Sequence, residues 1–145
     1  MKSSHGVRWS VGELAERFEL EPHVLRHWED KGLLLPARDA AGRRVYVEDD
    51  AYRVAVILAS KASGMSLDQI RVLVDSSADG RRDALRAHLD ELERRQAELE
   101  RSRHMTQHAL ECRAHDIATC PGFRAHVADI VDGSVRGIAF LGGHR

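Results

Sequence analysis

Residues 78–110 carry no proline, a single glycine near the start (Gly80), and a dense mixture of Arg, Glu, Asp, Leu and Ala. Most of these are strong helix formers, and about 30 of them make a rod about 45 Å long. Leu85, Leu89, Leu92, Leu99 and Leu110 fall on one alternating four–three spacing, interrupted at Gln96, Arg103 and Thr106. That is an imperfect coiled-coil seam. The Arg and Glu residues between Arg81 and Arg103 fit a solvated face with i, i+4 pairs and need no nucleic acid. A rod this long cannot pack wholly on a small domain, so it must find a partner.

The sequence before the rod reads as a compact head. Ser10, with Glu13 three residues on, is a capping box, and Val11, Leu14, Ala15 and Phe18 form one helical stripe. Pro22 suits the first position of a second helix, which Gly32 stops. On that helix Val24, Leu25 and Trp28 point one way, which makes Trp28 a core residue, and His23, Arg26 and His27 point the other. Two helices around a short turn, the second with a polar outer face, give the helix-turn-helix pattern. Residues 33–36 and 43–47 read as two strand-like runs around a polar tip ending in Gly42, a hairpin or wing.

Glu48, Asp49 and Asp50 suit the positive end of the next helix. It is apolar nearly all round (Val54, Ala55, Val56, Leu58, Ala59) and is expected to be central. Gly64 ends it, and Ser66 with Gln69 caps a further helix whose Leu67, Ile70 and Val74 face inward. At the termini, residues 1–7 are expected to be a loose arm, residues 127–131 a short helix, and residues 138–141 an apolar tail.

The 145 residues carry a formal net charge of −1, which argues against coating nucleic acid through bulk charge. Locally the balance differs, because Arg26, Lys31, Arg38, Arg43 and Arg44 face only Glu29, Asp30 and Asp39 within residues 22–44. No apolar run is long enough to span a bilayer and no signal peptide opens the chain, so a cytoplasmic protein without membrane contact is expected. An enzyme has little support. There is no phosphate-binding glycine loop, no nucleophile elbow and no HExxH pair.

The ordered set Val11-Gly12-Glu13-Leu14-Ala15, Leu25-Arg26-His27-Trp28-Glu29, Gly32-Leu33-Leu34, Arg38, Gly42-Arg43-Arg44-Val45-Tyr46 and Gly64-Met65-Ser66-Leu67-Asp68-Gln69-Ile70 resembles the MerR family of transcriptional regulators. Three details depart from its pattern. The turn Phe18-Glu19-Leu20 lacks the usual glycine, His27-Trp28 stands where an aromatic pair is common, and the wing lacks an aromatic after Gly42. The resemblance implies a mainly α fold in three parts. These are a winged helix-turn-helix head over residues 1–75, an antiparallel coiled-coil dimerisation helix over 76–111, and an effector segment over 112–145. It implies a homodimer that binds double-stranded promoter DNA and regulates by distorting it, so that RNA polymerase engages both promoter boxes.

Arg26 matches the family's helix-two arginine and shares its face with His23 and His27; DNA contact stands against a merely solvated face. Arg38, Arg43 and Arg44 are candidates for phosphate contact, or else decorate an ordinary charged hairpin. Tyr46 either reaches phosphate or covers the base of the hairpin.

Cys112 and Cys120, separated by seven residues, directly follow the rod. In the family's copper and zinc sensors a cysteine-bounded loop occupies that place, and Cys120-Pro121 matches the way it ends. Thiolates suit soft ions. The resemblance therefore points to Cu(I), held linearly by two sulfurs, ahead of Zn(II), which needs help from His115, His104, His108 or His126. His115 is the extra ligand nearest in sequence. Packing cysteines, a disulfide, an organic effector or no effector at all remain the alternatives.

Overall fold

The structure, a computed structural model, describes residues 6–134. Contacts divide it into two compact units, the first ending at His88 and the second starting at Leu89. The first holds α1 (Val11–Arg17), α2 (Pro22–Asp30), β1 (Ala37–Arg38), β2 (Arg44–Val45), α3 (Glu48–Ala62), α4 (Leu67–Val74) and the opening turns of α5 (Arg81–Glu111). The second holds the rest of α5, a 3-10 turn at Ile117–Thr119, and α6 (Pro121–Val131).

The helices of the head begin where the sequence places their caps. The Glu13 N–H donates to Ser10 Oγ at 3.2 Å and the Ser10 N–H donates to Glu13 Oε2 at 3.0 Å. Ser66 and Gln69 repeat the arrangement at α4, and Pro22 opens α2. Each box satisfies two of the amide donors that a helix start leaves without partners.

Three helices also end alike. After α1, α2 and α3 comes one left-handed residue, Glu19 (φ 55°), Gly32 (φ 75°) and Gly64 (φ 93°) respectively. The following residue then bonds five positions back: the Leu20 N–H to the Ala15 carbonyl at 2.8 Å, Leu33 to Trp28 at 2.8 Å, and Met65 to Ser60 at 3.1 Å. This is the Schellman closure. Each time it turns a hydrophobic residue toward the core. Leu33 and Met65 are buried, and Leu20 packs against the same cluster.

That cluster gathers Leu14, Leu25, Trp28, Leu34, Tyr46, Val54, Ile57 and Ile70 with the residues just named. Each large side chain fully buried there contributes about 1.5–3 kcal/mol. β1 and β2 pair antiparallel in the register Ala37 to Val45 and Arg38 to Arg44. Beyond them Trp9 and Tyr46 exchange backbone hydrogen bonds of 2.9 and 2.8 Å.

Several expectations change. The first strand lies at residues 37–38 and not at 33–36, because Leu33 and Leu34 are drawn into the core by the α2 closure. Of the expected loose arm at residues 1–7, residues 6 and 7 are exposed and outside any helix or strand, and Trp9 is tied to Tyr46 just beyond it; residues 1–5 lie outside the described residues. Helix α3 is not buried all round. Val54 and Ile57 face the core, whereas Ala55, Val56 and Ala59 are exposed because the head packs against one side only. Helix α6 starts at Pro121, six residues before the expected Val127. The apolar tail at residues 138–141 lies outside the described residues.

The opening turns of α5 are tied to the head by buried His88, whose Nε2 lies 3.1 Å from Ser63 Oγ at the end of α3. Nothing among the described residues covers the leucine seam: Leu85, Leu89, Leu92 and Leu99 are all exposed. On the polar side Glu91 pairs with Arg94 at 2.6 Å and with Arg95 at 3.1 Å, the solvated pairing expected. Exposed pairs of this kind contribute at most about 1 kcal/mol each. No helix among the described residues is long and apolar enough to cross a membrane.

Glu19 holds a left-handed backbone that costs a side-chain-bearing residue about 1–2 kcal/mol and glycine almost nothing. Glu19→Gly is therefore expected to stabilise the protein by about 1 kcal/mol, read as a higher denaturation midpoint at unchanged slope. An unchanged or lower midpoint would contradict the strain assigned to that turn.

Candidate functional site

Two groups of residues stand out, one in each unit. In the head, burial of Leu25 and Trp28 fixes the roll of α2 and leaves His23, Arg26 and His27 exposed. Arg26 has no hydrogen-bond or ion-pair partner among the described residues. A free guanidinium on an exposed helix face can present a bidentate donor to a guanine edge or to a phosphate.

The wing arginines are all engaged. The Arg43 Nε–H donates to Asp39 Oδ2 at 3.0 Å, and Asp39 Oδ1 also accepts from the amides of Ala41 and Arg43 at 2.9 Å each, which closes the tip. These donors hold the Asp39 carboxyl below its ordinary range, the Arg43 amide most of all. Arg38 donates to the Gly42 carbonyl at 3.1 Å and to Glu29 Oε1 at 3.2 Å. Arg44 donates to the other oxygen of the same carboxylate, and that bond raises the Arg44 pKa. Glu29 on α2 thus grips an arginine from each strand of the wing. Sequence reasoning counted Glu29 only as a neighbouring acid, because nothing local couples it to residues nine and fifteen positions on.

Tyr46 does not belong to this face. It is fully buried, and its hydroxyl is buried without a hydrogen-bond partner. The bridge to Trp9 points the side chain inward, so it covers the hairpin base and cannot reach phosphate. Burial also raises its pKa.

The second group lies where α5 ends. Cys112, just past the end of α5, donates its N–H to the His108 carbonyl at 2.8 Å and so follows His108 by one turn, and the chain returns through the 3-10 turn to place Cys120 at the N-cap of α6. Asp116 supports the return, accepting from the Ala118 amide at 3.0 Å. The ligand atoms of His108, Cys112 and Cys120 all lie within 4.8 Å of one another. Two sulfurs about 2.3 Å from one ion sit about 4 Å apart in a trigonal site, so this set closes on an ion with shifts under about 1 Å. The residues between the two cysteines leave the line of the helix after Glu111, which lets the two sulfurs approach. Among the four histidines considered, His108 joins the sulfurs; His115 is exposed and outside the group. His126 meets the His108 ring edge-on at a centroid distance of 6.1 Å.

His108 Nε2 lies 3.1 Å from Cys120 Sγ. That contact, helped by the amide of Phe123 and by Cys112, lowers the Cys120 pKa to about 6. Its sulfur is therefore a thiolate at neutral pH, the form that binds metals. Gly122 makes the approach possible, since a Cβ there would lie 2.6 Å from His108 Cε1. The i, i+4 spacing of His108 and Cys112 was readable in the sequence; the role of Gly122 was not.

Two family models match the chain, one described as MerR HTH family regulatory protein over residues 9–77 and one as MerR, DNA binding over residues 52–109. Among curated proteins, the HTH-type transcriptional regulator HmrR of Rhizobium leguminosarum bv. viciae is 29% identical, the match covering 77% of this chain and 92% of HmrR. An HTH-type transcriptional regulator of Pseudomonas aeruginosa is 36% identical over 77% of this chain and 91% of its own length. Among solved structures, HiNmlR, a MerR family regulator bound to promoter DNA, aligns with TM-score 0.58 at 22% identity over 72% of this chain and 89% of its own. PbrR691 from Ralstonia metallidurans CH34, in complex with lead(II), aligns with TM-score 0.52 at 26% identity over 81% and 98%.

Alkylation of Cys120 should rise with a midpoint near pH 6, because the thiolate predominates above its lowered pKa. Both His108→Ala and Gly122→Ala, which pushes the imidazole away, should move that midpoint upward toward the ordinary thiol range of about 8.5. An unmoved midpoint in both variants would mean that the imidazole does not govern this sulfur.

Proposed function

Because this chain belongs to the MerR family of DNA-binding transcription regulators, we propose that it controls a promoter in response to a soft metal ion held by His108, Cys112 and Cys120. The observation that carries this reading is the convergence of two sulfurs and an imidazole within 4.8 Å at the end of the long helix. Two thiolates favour a thiophilic ion, and a third, nitrogen donor suits Cu(I) in trigonal coordination. Zn(II), which prefers four ligands, ranks second. That PbrR691 was solved with lead(II) supports a thiophilic ion in general. When bound, the ion supplies a cross-link between the end of α5 and the start of α6.

In this reading Arg26, flanked by His23 and His27, enters the major groove of double-stranded promoter DNA, while Arg43, with Arg38 and Arg44, lies along the phosphates. The binding of HiNmlR to promoter DNA supports that assignment of the head. The exposed Leu85, Leu89, Leu92 and Leu99 pair with a second copy in antiparallel fashion, and the dimer places two heads on one operator. Metal alters the equilibrium between two arrangements of the heads only as far as it binds them differently. The distorted promoter is what RNA polymerase then engages.

Metal titration and reporter transcription test the switch together. The double Cys112→Ser, Cys120→Ser variant should dimerise and bind operator DNA yet lose both Cu(I) binding and the copper response. His108→Ala should weaken Cu(I) by at least about tenfold. A normal copper and zinc response in the double variant returns the cysteines to a packing role and makes an organic effector the leading reading.

On the DNA side, Arg26→Ala should cost about 1–3 kcal/mol of operator affinity. Leu92→Glu should yield a monomer by sedimentation and weaken operator binding through lost bivalency. A Leu92→Glu protein that stays dimeric would remove the seam from the interface.

A further inference from the structure

Glu29 holds a position that the proposed DNA contacts leave unexplained. It is an acid on the recognition helix, one turn from Arg26, with its side chain 19% exposed. Its two oxygens are taken by two different arginines, Arg38 from β1 and Arg44 from β2. An acid close to a phosphate-binding face opposes binding by Coulomb repulsion, and removing it would leave a more basic surface. What stands against this cost is its contact with both wing arginines.

The three side chains together carry a net charge of about +1, where the two arginines alone would carry +2. Affinity for any duplex follows the number of phosphates neutralised, with about 0.9 unit of salt slope for each. The carboxylate therefore removes about one cation's worth of sequence-independent attraction. It also freezes two long, flexible side chains in one geometry relative to Arg26. Arg44, half-buried and hydrogen-bonded through Nε, is the more constrained of the two; Arg38 keeps about half its side chain in solvent.

We propose that Glu29 is a specificity-determining positioning residue, which holds Arg38 and Arg44 in fixed register with Arg26 and suppresses their non-specific attraction for DNA. It touches no base itself. It raises the ratio of operator to non-operator affinity from the unfavourable side, by lowering the denominator. The inference rests on the reading of α2 and the wing as the DNA face.

The test measures binding of the full-length protein to an operator duplex and to a scrambled duplex across a salt series, for wild type, Glu29→Gln, Arg44→Gln and the double variant. Glu29→Gln should bind the scrambled duplex more tightly, with a salt slope steeper by about 0.9 and hence about three- to fourfold more affinity lost between about 50 and 200 mM salt. The operator-to-scrambled ratio should fall. Arg44→Gln should flatten the scrambled-duplex slope by about 0.9 unit in either background, and should lower the operator-to-scrambled ratio in wild type but not in the Glu29→Gln background, where nothing holds Arg44 in register. Glu29→Asp, which keeps the charge but is too short to hold both arginines, should leave the scrambled affinity low and reduce operator affinity. Thermal unfolding of each variant reports whether the head stays folded.

Several results would overturn the inference. They are an unchanged scrambled-duplex slope in Glu29→Gln, additive effects of the two changes on the operator-to-scrambled ratio, or equal loss on both duplexes with a lowered unfolding temperature. The last outcome would make Glu29 a structural tie alone. Arg26→Ala separates the failure of the underlying reading. If it and Glu29→Gln both leave DNA binding intact, the face has been misassigned. If Arg26→Ala weakens operator binding while Glu29→Gln leaves the scrambled-duplex slope and the operator-to-scrambled ratio unchanged, the face stands and the role of Glu29 does not.

Discussion

Three helices of the head close with a left-handed residue, after which the next side chain enters or borders the core. This recurring closure decides where each element starts its next direction, and much else in the head depends on it. At the end of α2 it sends Leu33 and Leu34 inward, which delays β1 to Ala37 and sets the base of the wing. It also anchors α2, whose 3.6-residue period then forces Arg26 and His27 outward whenever Leu25 and Trp28 are buried. The orientation of the side chains proposed to face DNA is thus a consequence of apolar burial on the opposite side of one short helix.

The wing is a two-residue-per-strand hairpin, too small to be stable by itself. Asp39 closes its tip from within, and the rest of what orders it lies outside the hairpin. The bridge from Trp9 to Tyr46 extends one side, and Glu29 reaches from α2 to both strands. Fully buried Tyr46 joins these supports to the core. The basic face is therefore assembled from ion pairs, and Arg26, exposed without such a partner, is its best-prepared group for a new ligand.

The second unit shows the same economy. Eight residues lie between Cys112 and the start of α6, yet a single 3-10 turn capped by Asp116 returns the chain so that Cys120 meets the end of α5. The absent side chain at Gly122 lets the His108 ring close on the sulfur. Proximity of the imidazole in turn keeps that thiol ionised at neutral pH. A cluster of one imidazole and two sulfurs, a turn and a lowered pKa follow from one short segment.

Local chemistry made much of this readable from the residues in order. Capping boxes at Ser10 and Ser66, Pro22 at a helix start, and glycines at positions 32 and 64 each act within one helical turn, so their consequences appear in the sequence. The long helix and its leucine seam were equally plain, being periodic. Those features determined the element order and the inner and outer faces of α2. Tertiary structure alone decided which charges meet. Glu29 finds partners nine and fifteen residues away, Trp9 finds Tyr46, and His108 rather than His115 joins the cysteines. The reason is physical: a cap or a helical stripe is fixed by neighbours along the chain, whereas an ion pair or a ligand set is fixed by where turns bring distant backbones together, and no spacing records that distance.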